Sequence, residues 1–307
     1  GLSMSAYAAA LRERLPDRTV ELARTPKQER ELVREARVVT GADMDPSLVD
    51  DASNLRLFAC MYAGTDHLPV DEFTARGVAV TNAAGVHAPG IADQSIGHML
   101  VFARRLHEAW RRARNAEWRH FQSFEFTDST VTVIGLGAIG QAIVQRLAGF
   151  EVETVGIRYT PSKGGPTDEV YGFEPDAVHR ALARSDYVVV ACPLTDVTRG
   201  LLGEAEFATM PPDAVVVNVA RGGVVDTDAL VAALQSGAIR GAALDVTDPE
   251  PLPGDHPLWT LENCLITPHN GGYTPKYWDR LADIVAGNVD RLDTDTPLVN
   301  EVDVPGE

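Results

Sequence analysis

Three short blocks of the 307-residue chain each place a polar, titratable side chain just after an apolar run, a set whose types could serve a carbonyl reduction. They are Asn218-Val219-Ala220-Arg221-Gly222-Gly223, Asp245-Val246-Thr247-Asp248-Pro249-Glu250-Pro251 and Thr267-Pro268-His269-Asn270-Gly271-Gly272. Each follows an apolar run, and together they bring Arg221, Glu250 and His269. Reducing a carbonyl beside a carboxylate takes a hydride, a proton for the developing alkoxide and a cation for the carboxylate. An imidazole, with an ordinary pKa of about 6.5, suits that proton transfer near neutral pH. A carboxylate beside it favours the protonated ring and fixes its tautomer. A guanidinium holds a carboxylate through paired N–H donors and polarises the carbonyl next to it. Each residue also has a plainer reading. The plainer readings, which weigh less, are Arg221 as an ion-pair partner, Glu250 as a turn residue between prolines and His269 as a hydrogen-bonded buried histidine. The other histidines (His67, His87, His98, His107, His120, His179, His256) lack such neighbours. No pair has metal-ligand spacing, so no metal is expected.

A hydride donor is announced upstream. Val131-Thr132-Val133-Ile134 reads as a strand, Gly135-Leu136-Gly137-Ala138-Ile139-Gly140 is a GxGxxG turn, and Gln141 to Leu147 reads as a helix. A lone GxGxxG says little; one placed between a strand and a helix is specific for a dinucleotide. Gly135 allows the tight turn, Gly137 lets backbone approach a pyrophosphate, and Gly140 lets the helix pack on the strand. Ala138 and Ile139 then open a helix whose N-terminus faces the phosphates. The plain alternative is a glycine-rich turn without a ligand. The next strand, Thr154-Val155-Gly156-Ile157, should end in an acid that binds the adenine ribose hydroxyls. Arg158-Tyr159-Thr160 stands there instead, followed by Ser162. A guanidinium clamps a 2′-phosphate that an acid would repel. NADP(H) is therefore the expected cofactor, with NAD(H) possible.

These residues need a scaffold that presents strand ends. Continuous apolar runs at Ala36–Thr40, Leu57–Cys60, Val78–Thr81, Val131–Ile134, Thr154–Ile157, Tyr187–Val190, Val215–Asn218, Gly241–Leu244 and Cys264–Thr267 read as parallel strands buried on both faces. Helices are expected between them, at Gly140 to Leu147, Pro175 to Ala183 and Thr227 to Ser236. Asp226 or Thr227 caps the last, and Gly237 follows its end. The pattern predicts an α/β fold of two doubly wound parallel sheets. A long basic helix is expected from about Ile91 to Arg119, linking two domains, and a second hinge at Gly271-Gly272.

The chain carries 44 acidic and 27 basic residues, a net charge of −17. That repels nucleic acid and anionic membrane, so neither is an expected partner. Only three of the basic residues are lysines: Lys27, Lys163 and Lys276. An acidic, lysine-poor surface suits molar salt, where the Debye length falls to about 3 Å and self-repulsion is screened. A halophilic protein is the expectation. No apolar run reaches the roughly 18 residues of a membrane span, and no signal peptide is read at the N-terminus. Cys60, Cys192 and Cys264 fit no disulfide framework. A reducing cytoplasm is expected.

In these blocks the sequence resembles the D-isomer-specific 2-hydroxyacid dehydrogenase family. The matching pieces are the Gly135–Gly140 turn, Pro193-Leu194-Thr195 with Thr198, the Arg221 block, Asp245 with Glu250-Pro251, and Thr267-Pro268-His269. They lie in family order across roughly residues 80 to 275. The resemblance implies a Rossmann domain at residues 93–273, including the linker helix. It would be inserted in a flavodoxin-like substrate domain at 1–92 and 274–307. It implies a homodimer, with Arg221, Glu250 and His269 reducing a small 2-keto acid to a D-2-hydroxy acid. Cofactor contacts would come from Gly135, Gly137, Ala138, Ile139, Gly140, Arg158, Tyr159, Thr160, Cys192, Pro193, Thr198, Val219, Ala220, Asp245 and Gly271. Asp245 is expected at the nicotinamide amide. The loop Ala63-Gly64-Thr65-Asp66 looks like the family segment whose amides hold the substrate carboxylate. Met61 and Tyr62, with Trp278 or Tyr273, would meet the substrate side chain, favouring small or branched aliphatic keto acids. Hydroxypyruvate or glyoxylate reduction, and a non-catalytic nucleotide-sensing corepressor, are the alternatives. Asp93 stands where the family usually shows Glu.

Overall fold

The computed structural model describes residues 3–65, 67–294 and 296–302. Asp66, the last residue of the expected carboxylate loop, lies outside them. The chain divides into a terminal unit, residues 1–86 with 274–307, and a central unit, residues 87–273. The first crossing falls at 86/87 rather than at 92/93, because 92/93 lies inside a continuous helix that starts at Ala88.

The terminal unit contains α1 (Met4–Arg14), α2 (Pro26–Val33), β1 (Val38–Gly41), α3 (Pro46–Asp51), β2 (Leu57–Cys60), α4 (Val70–Ala75) and β3 (Ala79–Thr81). The central unit contains α5 (Ala88–Ala103), α6 (Leu106–Arg114), β4 (Thr130–Ile134), α7 (Ala138–Leu147), β5 (Glu153–Ile157), β6 (Glu169–Tyr171), α8 (Pro175–Leu182), β7 (Tyr187–Val190), α9 (Glu204–Thr209), β8 (Val215–Asn218), α10 (Thr227–Ser236), β9 (Gly241–Leu244) and β10 (Cys264–Ile266). Helix α11 (Tyr277–Thr294) returns to the terminal unit.

In the terminal unit three parallel strands run in the order β1-β2-β3. Successive strand side chains point to opposite faces, and β2 uses both. Leu57 and Ala59 pack with Tyr7 and Leu11 of α1 and Leu281 of α11, whereas Phe58 and Cys60 pack with Leu48 of α3 and Phe73 of α4. Helices therefore cover both faces of this small sheet.

The central sheet has seven parallel strands in the order β6-β5-β4-β7-β8-β9-β10. Read from β4, that is the Rossmann order with one added strand, and its direction of growth reverses between β4 and β7. The same alternation builds two cores. Val131 and Val133, Val189, and Val215 and Val217 face α5 and α7; Ile134, Val188 and Val190, and Val216 face α8 and α10. The edge strand β6 is absent from the sequence reading, since Glu169-Val170-Tyr171 is too short and polar to show an apolar run.

The long basic helix is corrected to two. Helix α5 ends at Ala103, and Arg105 takes a left-handed conformation (φ 51°) before α6 begins. The break follows from competition for the last carbonyls: the Ala103 carbonyl accepts from the Phe124 amide of the returning chain, not from a further helical turn. The guanidinium of Arg105 lies over Phe121 on that same segment.

Candidate active site

One register row organises the site. Ile157, Ile134, Val190, Asn218, Leu244 and Ile266 are paired neighbours across β5, β4, β7, β8, β9 and β10. Gly135 and Arg158 directly follow this row, as do Ala191-Cys192, Val219-Ala220-Arg221, Asp245 and Thr267-Pro268-His269. Adjacent strands lie about 4.8 Å apart, so the ends of β8, β9 and β10 place their three blocks side by side. These are the carboxyl ends of the strands, where open α/β sheets bind ligands.

The dinucleotide turn fits its ligand. Gly135 has φ 99°, and a Cβ there would sit 2.7 Å from the Ala191 carbonyl. A Cβ at Gly140 would lie 1.9 Å from the Gly135 carbonyl, so helix and turn touch only because both residues are glycine. A Cβ at Gly137 would meet nothing within 4 Å, which leaves open space where a pyrophosphate must approach. Helix α7 starts at Ala138 with Gly137 as its N-cap, and its first amides have no intrahelical acceptor. The residues present therefore fit a dinucleotide. At its adenine end, Arg158 is partly exposed and donates from Nη1 to the Gly164 carbonyl at 2.5 Å. Tyr159 is 80% exposed. Thr198 is buried, its hydroxyl donating to the Pro193 carbonyl (2.6 Å) and accepting from the Thr195 amide (2.8 Å). It shapes the turn after β7. Burial pushes the Cys192 thiol up to about 11, so this cysteine is no nucleophile at neutral pH.

His269 and Glu250 meet on the surface of the central unit. Their Nδ1 and Oε1 atoms lie 2.5 Å apart, with the imidazole half exposed. His269 holds a left-handed backbone (φ 49°), unusual for a residue with a side chain. The cause is visible in its amide, which donates to the carbonyls of Asp245 (2.8 Å) and Thr267 (3.0 Å). Asp245 is the hub beneath it, buried to 3% exposure. Its Oδ1 accepts from Gln94 Nε2 (2.7 Å), Thr267 Oγ1 (2.5 Å) and the Asn270 amide (3.2 Å); its Oδ2 accepts from the Gly271 amide (2.9 Å). Burial by itself raises a carboxyl pKa, but these donors outweigh it and hold Asp245 below the usual range. Asp245, expected at the nicotinamide amide, thus spends most of its acceptor capacity on the loop that carries His269.

Arg221 sits at the N-cap of a short helical turn, Gly222–Val224, and is exposed. A Cβ at Gly222 would lie 2.1 Å from the Thr247 carbonyl carbon, and Thr227 Oγ1 donates to the Asp248 carbonyl at 3.1 Å. The Arg221 and Glu250 segments are therefore stitched together backbone to backbone. The expected hinge at Gly271-Gly272 lies just before the second crossing between the units, at 273/274, and its glycines are also closely packed. A Cβ at Gly272 would lie 2.6 Å from His87 Nδ1, which hydrogen-bonds the Gly272 carbonyl. Close packing at the start of α5, with Gly271 against the Asp245 carboxylate, explains the pair.

Gln94 is the residue that sequence reasoning missed. Attention fell on its neighbour Asp93, which pairs with Arg146 of α7 at 2.6 Å. Its sequence signal is faint: one of four polar side chains, with Asp93, Ser95 and His98, in a mainly apolar helix.

The expected carboxylate loop lies in the terminal unit. The Met61 carbonyl accepts from the Tyr277 hydroxyl, and the Tyr62 carbonyl from the Ala83 amide. The amides of Ala63 and Gly64 donate to nothing among the described residues, and a Cβ at Gly64 would meet only open space. Trp278 is corrected: it is 6% exposed and stacks on Tyr7 with centroids 4.8 Å apart, so it is core. Tyr273, in the central unit, is 81% exposed. Among the described residues no cluster could hold a metal, and no helix is long and apolar enough to cross a membrane.

Known proteins match this arrangement. Residues 96–271 match the sequence model of the D-isomer specific 2-hydroxyacid dehydrogenase NAD binding domain. The glyoxylate reductase/hydroxypyruvate reductase of Homo sapiens is 39% identical over 254 residues, 80% of this chain and 76% of its own. The glyoxylate reductase of Pyrococcus furiosus is 34% identical over 80% of this chain and 75% of its own. A crystal structure of a D-isomer specific 2-hydroxyacid dehydrogenase from Xanthobacter autotrophicus Py2, in complex with NADPH and MES, superposes with a TM-score of 0.79. It is 30% identical and covers 97% of this chain and 94% of that one.

Proposed function

The chain belongs to the D-isomer specific 2-hydroxyacid dehydrogenase family, an oxidoreductase family acting on 2-keto acids with a nicotinamide cofactor, and from that premise we propose which residues perform the reduction and on what. The carrying observation is the 2.5 Å contact between His269 and Glu250, stitched to the Arg221 segment at the carboxyl end of the sheet. Bound NAD(P)H supplies the hydride. His269 gives its proton to the developing alkoxide, Glu250 fixes the imidazole tautomer, and Arg221 binds the carboxylate and polarises the carbonyl. The amides of Ala63 and Gly64, which donate to nothing among the described residues, are the terminal unit's own candidates for holding a substrate carboxylate.

The substrates we infer are small 2-keto acids, glyoxylate and hydroxypyruvate first, in line with the names of the relatives above. NADPH is the preferred donor, because Arg158 stands where an acid would select NADH. We place the protein in a reducing cytoplasm at high salt, on the strength of its three free cysteines and its −17 charge. NADPH and NADH oxidation with glyoxylate, hydroxypyruvate, pyruvate and 2-ketoisocaproate, at low and molar KCl, tests all of this at once. No turnover with any keto acid, despite tight nucleotide binding, overturns it. Arg158→Asp should move the NADPH to NADH ratio of kcat/KM by at least about tenfold, the equivalent of ~1.4 kcal/mol. An unchanged ratio removes Arg158 from the assignment.

A homodimer is the proposed assembly. Leu106 and Trp110, one helical turn apart on α6, and Trp118 are 47%, 70% and 97% exposed, more apolar surface than a monomer normally leaves in water. Size-exclusion chromatography with light scattering should report about twice the chain mass, and Trp118→Glu with Trp110→Glu should halve it. A monomeric parent protein refutes the assembly.

A further inference from the structure

The central unit holds a cavity at the amino ends of its strands, opposite the ends that carry Arg221, Glu250 and His269. Its volume is about 390 Å³. Asp213, Arg240 and Asn263 on its wall lie one or two residues before β8, β9 and β10, whereas Arg221, Glu250 and His269 follow the other ends of those strands.

The wall carries three guanidiniums (Arg105, Arg111, Arg240) and three carboxylates (Glu108, Asp213, Glu262), but they are not paired one to one. Arg111, on the wall, is satisfied by the carboxylates of Glu108 and Glu262. Arg105 and Arg240 make no ion pair among the described residues, in a chain where acids outnumber bases by 44 to 27. The Arg240 guanidinium is pinned 4.1 Å from the centroid of Phe124 and 5.6 Å from that of Tyr187, and Nη2 reaches the Tyr187 hydroxyl at 3.2 Å. Its Nε is buried and has no hydrogen-bond partner. That Nε is covered by protein, so the donor left for an occupant is Nη1, which makes no hydrogen bond among the described residues. Asp213, exposed on the same wall, makes no ion pair with either arginine. Burial is the main cause that holds His107 on this wall below the ordinary imidazole range; the charges of Arg105 and Arg240 add to it, and the Val101 carbonyl and the Glu108 carboxylate oppose it.

We propose that this cavity binds a small oxyanion, a carboxylate, sulfate or phosphate, held by Arg240 and Arg105. The aromatic seat of Phe124 fixes the guanidinium plane, and Nη1 offers its N–H donors to the anion's oxygens. The site is independent of the reaction assigned above.

The test uses the whole chain saturated with NADPH, so that the nucleotide phosphate site is filled. Sodium sulfate or phosphate is titrated at constant ionic strength, balanced with KCl. The melting temperature should rise along a saturating curve, by roughly 5 °C at a hundredfold excess over the half-point. Arg240→Met should keep NADPH-dependent turnover and lose the saturating component. Arg105→Ala should move the half-point at least tenfold higher. Calorimetric titration with phosphate should show the same two differences. A rise that is only linear, as general salt exclusion produces, overturns the proposal. So does an equal saturating rise in Arg240→Met, or a change of oligomeric state in that variant, which would mean that a second copy fills the cavity.

Discussion

His269→Ala should lower kcat for keto-acid reduction by about 10²–10⁴-fold, the usual contribution of a positioned acid. That corresponds to roughly 2.7–5.5 kcal/mol of barrier. The imidazole stands on a loop held by Asp245 through the Thr267 hydroxyl and the amides of Asn270 and Gly271, so truncating the ring leaves the loop in place. NADPH affinity and melting temperature should therefore barely change. Glu250→Gln keeps an oxygen beside Nδ1 while removing the charge, and should lose less than His269→Ala. If His269→Ala retains more than about a tenth of parental kcat, the proton comes from elsewhere and the assignment fails. A loss confined to KM would also sink it, since that would make His269 a binding residue. Stopped-flow measurement of the hydride step, alongside nucleotide titration, separates these outcomes.

Gly140→Ala should weaken cofactor binding by displacing a helix. The added methyl would lie 1.9 Å from the Gly135 carbonyl and 3.3 Å from Val133. Gly135 cannot retreat. Its amide is tied to the Ile157 carbonyl at 2.7 Å, and its α-carbon abuts the backbone of Ala191 and Cys192. Helix α7 must therefore move off the strand, and overpacking of this kind costs typically ~1–3 kcal/mol. The first-turn amides move with the helix, away from the phosphates. NADPH affinity should fall at least tenfold, and the melting temperature by several degrees, at about 2–4 °C per kcal/mol for domains near this size. A variant that binds NADPH like the parent would show that the phosphates do not rest on this turn. Gly137→Ala, whose Cβ would meet only open space within the protein, is the informative contrast. It should fold normally and lose nucleotide affinity only.

The scaffold was largely legible because its signals are local. Nine apolar runs became nine strands, and α10 runs from Thr227 to Ser236 with Asp226 capping Ala229 and Gly237 left-handed at its end, as its residues predict. Such features depend on neighbours a few positions away. The long basic helix misled because its break has no local mark. No proline or glycine lies between Ala103 and Leu106, and the helix ends because Phe124, 21 residues on, takes the Ala103 carbonyl. Trp278 misled for a related reason. An aromatic residue near a predicted site can face a ligand or a core, and only packing against Tyr7 at the other end of the chain decides which.

Nine of the strands, the glycine turn and the three candidate reacting groups could be read from residues alone, because apolar periodicity, glycine spacing and residue chemistry are properties of short stretches. Tertiary structure alone decided how those groups are held. Strand register aligned Asn218, Leu244 and Ile266 in one row, Gln94 was brought 151 positions along the chain to Asp245, and Arg240 was seated on Phe124 and Tyr187 without an ion pair among the described residues. Those outcomes depend on which distant residues share a face, and that is settled only when the two faces of the sheet are buried.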